Sequence, residues 1–224
     1  MIATLALMQV VLRFQYPTDL AVTYDVRQSW ATTDGEEETV YIERWTYTVS
    51  EQLAGGAARL KLVRTALEMV IDGTRIVIDG GPGADTSNEF VEDHSPRGEV
   101  KRKTPAPIDP TMVLRMDRIA DLYYPVAGSN IGAVWSRDQS REDSAGLPPA
   151  KWTWVIDSIA DDKAVGRFSF QESQTQSPIR AEGKFVASTK DGWPLELSFK
   201  ATGTYQPGDE ERLPTVYEFS LKRR

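Results

Sequence analysis

The dominant period along the chain is two. Val22, Tyr24 and Val26 alternate with Thr23 and Asp25, and Leu195, Leu197, Phe199 and Ala201 alternate with Glu196, Ser198, Lys200 and Thr202. Tyr217, Phe219 and Leu221 do the same against Glu218, Ser220 and Lys222. One apolar and one polar face per segment is the signature of an antiparallel strand with one side wet. Turn residues fall between the runs: Asp34-Gly35, Gly55-Gly56, Asp72-Gly73, Asp79-Gly80-Gly81, Asp161-Asp162, Asp191-Gly192 and Pro207-Gly208. Such pairs supply the positive φ of tight hairpins, so successive strands are expected to be neighbours in a meander.

Three stretches depart from the period. Residues 80–110 are rich in Gly, Pro, Ser and charge and read as a long surface connection, with a short strand near Gly98 to Lys103. Asp109-Pro110 then looks like an N-cap followed by a first-turn proline. Met112, Met116, Ile119, Ala120 and Tyr123 share one helical face, which predicts one helix from Pro110 to Tyr124, stopped by Pro125 and Gly128. Residues 136–149 read as a polar loop.

One pentapeptide occurs twice in similar form. Trp45-Thr46-Tyr47-Thr48-Val49 is matched by Trp152-Thr153-Trp154-Val155-Ile156, and Trp30 and Trp135 precede the two copies. Trp45/Trp152, Tyr47/Trp154 and Val49/Ile156 stand at i, i+2, i+4, hence on one face of a strand. Leu60 and Leu62 then align with Phe168 and Phe170, and Arg59 with Arg167 on the opposite face. Either two hairpins match by chance once alternation is imposed, or the chain holds repeat halves 12–80 and 130–205 joined by a loop-plus-helix segment 81–129. In both cases one β domain over 1–224 is expected: a mainly β fold, a large twisted antiparallel sheet, half-barrel or barrel of about ten to twelve strands with one helix.

Composition narrows the chemistry more than it supplies any. The 224 residues are enough for a sizeable core. A net charge of −7 argues against a nucleic-acid partner. The absence of cysteine excludes disulfides, thiolate metal sites and a thiol nucleophile. No apolar run reaches the roughly 18–20 residues that span a bilayer, so no integral membrane segment is expected. The first eleven residues are nearly all apolar without a basic start. They read as the end of a signal peptide (a remnant over 1–9), as an atypical complete signal, or as a run into the first strand through Leu12, Phe14 and Tyr16.

His94, the single histidine, lies among Glu92, Asp93 and Ser95 and reads as a solvated loop residue. Asp85, Glu89, Glu92 and Asp93 lack calcium-loop spacing, and Glu36-Glu37-Glu38 reads as a turn. No nucleophile elbow, phosphate loop or His-rich metal pattern is present. No catalytic residue, metal ligand or cofactor is therefore assigned, and a hydrolase using paired carboxylates stands third among the functional readings. The six tryptophans are the remaining clue. They either pack a sheet core or line a face for an apolar ligand. Candidate ligand-binding residues are Trp45, Tyr47, Trp152, Trp154, Phe168 and Phe170.

Pro125-Val126 and Ile131-Gly132-Ala133-Val134-Trp135, followed by strand, turn and strand, resemble a group of uncharacterised β-rich bacterial envelope proteins, secreted or lipid-anchored. That group is similar to the curved-sheet lipoprotein carriers, whose half-barrel covers an apolar cavity with a helix. Asp19 to Tyr24 and Gly183 to Phe199 also take part. Ala133 departs from the group, which carries an acid there, and no lipobox cysteine is present. The resemblance implies an extracytoplasmic, periplasmic or secreted, non-enzymatic protein that binds an apolar, lipid-like molecule. The alternative is an envelope structural or protein-interaction module with a fully packed barrel and an envelope protein as partner.

Overall fold

The computed structural model describes residues 10–32, 38–71, 73–77, 89–103, 115–142, 146–205 and 213–224. Its twelve strands are β1 (Ala21–Thr32), β2 (Glu38–Gln52), β3 (Ala58–Ile71), β4 (Thr74–Val77), β5 (Glu89–His94), β6 (Val100–Arg102), β7 (Val134–Gln139), β8 (Ala150–Ala160), β9 (Lys163–Glu172), β10 (Arg180–Ser188), β11 (Pro194–Tyr205) and β12 (Leu213–Arg223). All belong to one antiparallel sheet in the order β6-β5-β3-β2-β1-β12-β11-β10-β9-β8-β7, with β4 paired to β3 off this path. The sheet is open, with β6 and β7 at its edges. Two meanders meet where β1 pairs with β12, Tyr24 opposite Arg223 and Trp30 opposite Tyr217.

Hairpin chemistry sets the local joins. Asp161 (φ 49) and Asp162 (φ 60) form a two-residue turn with both central residues at positive φ, which matches the twist of β8 and β9. Gly166 and Gly183 lie opposite Phe185 and Phe168, and each ring crosses the glycine facing it. A Cβ at Gly183 would sit 2.4 Å from the Phe168 ring. These two positions need glycine for close approach, not for its backbone freedom.

One face of the sheet carries Val22, Tyr24, Val26, Leu60, Leu62, Trp152, Trp154, Phe168, Phe170, Phe185, Leu197, Phe199 and Tyr217, all buried in one cluster. Two chain segments cover it. The first brings Leu12, Phe14 and Tyr16; the second brings Met116, Ile119, Leu122 and Tyr124. Leu12 to Tyr16 alternate as the sequence suggests, yet they form no strand of the sheet. They lie over it, tied by a bridge between Val10 and Ser129 and by Phe14 N–H to Pro96 O (2.9 Å). Gly192 (φ 73) lets this segment pass, since a Cβ there would meet Arg13 O at 2.1 Å.

Four local expectations are corrected. Within the predicted helix, the described residues carry helical backbone over 115–120, and Asp121 turns extended (ψ 117). Tyr124 is drawn out of the helix by its N–H to Arg97 O (2.8 Å) and its hydroxyl to Gly192 O (2.5 Å). Asp109, Pro110 and Met112 lie outside the described residues. Residues 136–139, expected as the start of a loop, belong to the edge strand β7; its polar residues suit an edge. Residues 89–94, also expected as loop, form β5. His94 is not solvated: it is buried on the covered face and bonds Glu92 through Nε2 (2.9 Å).

Candidate functional site

All six candidate residues point to the covered face, as their i, i+2 spacing requires. They form two groups rather than one patch. Trp45 and Tyr47 stand on β2. Trp152 and Trp154 on β8 face Phe170 and Phe168 on β9, separated from β2 by β1, β12, β11 and β10. Leu60 and Leu62 share the face, and Arg59 and Arg167 point to the other. The pairing of the similar segments differs by two residues: Trp152 faces Phe170, whereas Trp45 faces Arg64 and Tyr47 faces Leu62. The connections differ too, through residues 53–57 in one hairpin and through Asp161-Asp162 alone in the other.

The β8–β9 group is sealed. Trp152 and Trp154 are each 1 % exposed and stack nearly parallel (interplanar 4°), with Trp135 continuing the stack. Among the described residues their two indole N–H groups find no acceptor. Beside them Glu172, fully buried, accepts Arg115 Nε (3.0 Å), Arg118 Nη2 (2.5 Å) and the Ile179 N–H (2.9 Å). Arg118 also donates to Pro148 O (3.0 Å) and lies over the Phe170 ring at 5.4 Å. Burial pulls the Arg118 pKa down, with Glu172 opposing. This knot fixes the segment at 115–120 onto the sheet.

The β1–β5 group is more open. Trp30, Trp45, Tyr47 and Phe90 are partly accessible while packing against the core. Trp45 Nε1 donates to Glu43 Oε2 (2.6 Å), and Arg64 reaches Glu43 Oε1 (3.2 Å) while lying over the Trp45 ring. Gln28, which accepts from the Tyr217 hydroxyl at 2.8 Å, reaches Glu43 as well. Next to this network Glu92 takes His94 and Arg102 (3.1 Å), and Arg102 reaches Asp117 at 3.3 Å. Burial works to raise the Glu92 pKa, but His94 and Arg102 together hold it below the usual carboxylate value.

Two carboxylates on the covering segment go the other way. Desolvation pushes Asp117 up to about 6 against the opposing Arg102, and Asp121 up to about 7 against the opposing Arg137, with Glu92 adding to both. Yet the Asp117 side chain keeps 41 % of its surface accessible. Burial also drives the Tyr47 hydroxyl pKa upward.

Sequence reasoning had missed Glu43, Glu92, Asp117, Asp121 and Glu172. For three of them a signal existed. Glu43 shares parity with Tyr41, Trp45 and Tyr47; Glu92 with Phe90; Glu172 with Phe168 and Phe170. A carboxylate in the apolar register of a strand marks a buried network. Chemically, the arrangement offers an apolar wall with a polar rim, and its carboxylates are held by arginines rather than aimed at one point. Among the described residues no group of three His, Asp or Glu is placed to hold a metal ion, and no helix is long and apolar enough to cross a membrane.

The class so defined is an open, twelve-stranded antiparallel sheet with one face covered by its own chain. No family model and no curated protein matches the sequence. Among solved structures the chain is similar to lipovitellin, in a structure concerned with lipid–protein interactions, with a TM-score of 0.58 at 9 % identity. The match covers 91 % of this chain and 25 % of that one, so the chain spans about a quarter of the lipovitellin chain. At such identity the likeness is one of fold.

Proposed function

We propose that the protein is a non-enzymatic, extracytoplasmic binding protein that holds an apolar, lipid-like ligand against the covered face of its sheet. The observation that carries this reading is the uneven closure of that face. Trp30, Trp45, Tyr47 and Phe90 remain partly accessible, as does the Asp117 carboxylate, while the aromatic residues of β8 and β9 are shut in. Half-open aromatic walls with a few polar groups at the rim are a common make-up of a small-molecule site. The likeness to lipovitellin, a structure concerned with lipid–protein interactions, supports the same reading. A structural or protein-interaction module is the second reading, favoured by the sealed packing of Trp152, Trp154, Phe168 and Phe170.

Native mass spectrometry of freshly purified protein, followed by titration with a fluorescent fatty-acid probe, separates the two. A co-purifying lipid, and probe binding weakened about tenfold by Trp45→Ala, are expected for a loss of ~1.4 kcal/mol of contact. No retained lipid together with no probe binding leaves the module reading standing.

A further inference from the structure

The four most exposed large apolar side chains among the described residues share one corner. Val126 is 71 % exposed, Val134 64 %, Ile131 62 % and Val11 59 %, while no other exceeds 42 %. Backbone contacts bring them together. Val10 and Ser129 exchange both N–H to O bonds (3.0 and 2.7 Å), which lays Val11 beside residues 125–129. Gly132 N–H reaches Ile156 O (2.8 Å) and Ile156 N–H reaches Ala133 O (3.1 Å), so Ile131 and Val134 are fixed at the start of the edge strand β7. The corner is also free of charge. Residues 122–136 hold no charged side chain, although only Leu122, Tyr124 and Ser129 among them are buried. At the chain's 26 % charged residues, a stretch of that length would carry about four. Arg13 is the one charged side chain in residues 1–18, and its guanidinium lies on the carbonyl oxygens of Leu12, Pro125 and Val126.

An exposed apolar corner marks a contact with a protein or with lipid. Its composition separates the two. Protein interfaces are anchored by Trp, Tyr and Arg, and valine is under-represented among the anchors. Here the tips are three valines and one isoleucine. The aromatic residues beside them, Tyr123, Tyr124 and Trp135, are buried or half-buried, with Trp135 Nε1 donating to Tyr123 O (2.5 Å). Aliphatic tips backed by Tyr and Trp suit the boundary between lipid headgroups and acyl chains. The chain that leads into Val10 at this corner, residues 1–9, has no charged side chain either. We infer that the corner of Val11, Val126, Ile131 and Val134 docks on the surface of a lipid bilayer, these four side chains entering it and Arg13 standing at headgroup level. The inference rests on the lipid-like ligand proposed above, since an apolar ligand is collected from or delivered to a lipid phase rather than water.

The test is co-sedimentation of the full chain with phosphatidylcholine vesicles, beside the fatty-acid probe titration described above. Vesicle binding is expected, and it should persist as salt is raised because apolar contact drives it. Val126→Asp with Ile131→Asp should weaken it roughly tenfold or more, since two aliphatic side chains no longer leave water. Ile42→Asp, the same kind of change at an exposed position on β2, six strands away from β7, should leave it within about twofold. All these variants should keep the probe affinity of the parent. Absence of vesicle binding overturns the inference. So does an equal loss with Ile42→Asp, or a dimer in sedimentation velocity that the double variant abolishes, which would assign the corner to a second copy of the chain. Probe binding without vesicle binding overturns the docking corner and leaves the ligand reading standing; vesicle binding without probe binding does the reverse. If circular dichroism shows that the double variant fails to fold, Ile131→Asn, with a smaller loss, decides.

Discussion

Glu172 and Asp121 lie at the same covered face, and both are carboxylates taken partly or wholly from water. Glu172 is wrapped by two arginines and a backbone N–H, with nothing of its side chain exposed. Among the described residues Asp121 has no such wrapping, only the more distant fields of Arg137 and Arg102, and desolvation carries its pKa to about 7. The difference shows what closes this face. Where an acid is matched by arginines, the covering segment lies flat and the aromatic residues seal beneath it. At the other end, where Glu43, Glu92, Asp117 and Asp121 gather, the aromatic residues remain partly accessible.

The largest effect should come from breaking the sealed end. Glu172→Gln leaves Arg115 and Arg118 buried against the sheet without their counter-charge. Breaking a buried pair on one side costs about 3–5 kcal/mol. In a chain of this length that lowers Tm by roughly 10 °C or more, measurable by calorimetry. Glu43→Gln, at the open end, keeps a hydrogen-bond acceptor for Trp45 and has water within reach, so its loss should be a fraction of that. If the two variants lose equally, the contrast between the ends is not one of closure.

A smaller effect tests the packing under the sealed end. Gly183→Ala places a methyl 2.4 Å from the Phe168 ring and 2.6 Å from Ser198 O. The ring must leave its seat, at about 1–3 kcal/mol for overpacking. Gly203→Ala meets nothing nearer than Ile179 Cγ1 at 3.2 Å, a contact that a small shift relieves. Urea unfolding of both variants should show Gly183→Ala clearly destabilised and Gly203→Ala within about 1 kcal/mol of the parent. Equal destabilisation would mean that the ring-over-glycine pairing is not what holds β9 to β10.

Much of the sheet was legible because alternation needs only neighbours. Tyr24, Phe199 and Tyr217 declare their face through the residues beside them, and Asp161-Asp162 and Asp191-Gly192 declare their turns. The two Trp-Thr-aromatic segments announced their shared face in the same way. The joining of β1 to β12 was not legible, since nothing local in Trp30 or Tyr217 says that they meet at 4.4 Å. The site was legible in part only. Parity placed Trp45 and Trp152 on one face, but parity says which way a side chain points and not what covers it. That is decided by Arg118 reaching Glu172 across 54 residues and by Tyr124 reaching Gly192, contacts that no periodicity contains.

The finest test uses pH to tell the two kinds of acid apart. Asp121 has its folded pKa raised from 3.8 to about 7. Between those values the folded chain holds more protons than the unfolded one, so this group's contribution to stability falls as pH rises through the window. Asp121→Asn removes that penalty. The variant should be more stable than the parent near about pH 8, on the order of 1 kcal/mol after allowance for screening, and the two should converge below about pH 3, where the group is neutral in both the folded and the unfolded chain. Glu92 has the opposite sign. Its folded pKa is lowered by His94 and Arg102, so its contribution is present above 4.5 and fades as pH falls below. Glu92→Gln should therefore destabilise at neutral pH and converge with the parent in acid. Thermal melts of both variants across this range, with opposite pH trends, would show that Asp121 is desolvated without a matching cation while Glu92 is held by its partners. A loss of stability for Asp121→Asn near about pH 8 would mean instead that Asp121 is held as firmly as Glu172, and that the open end is closed by charge after all.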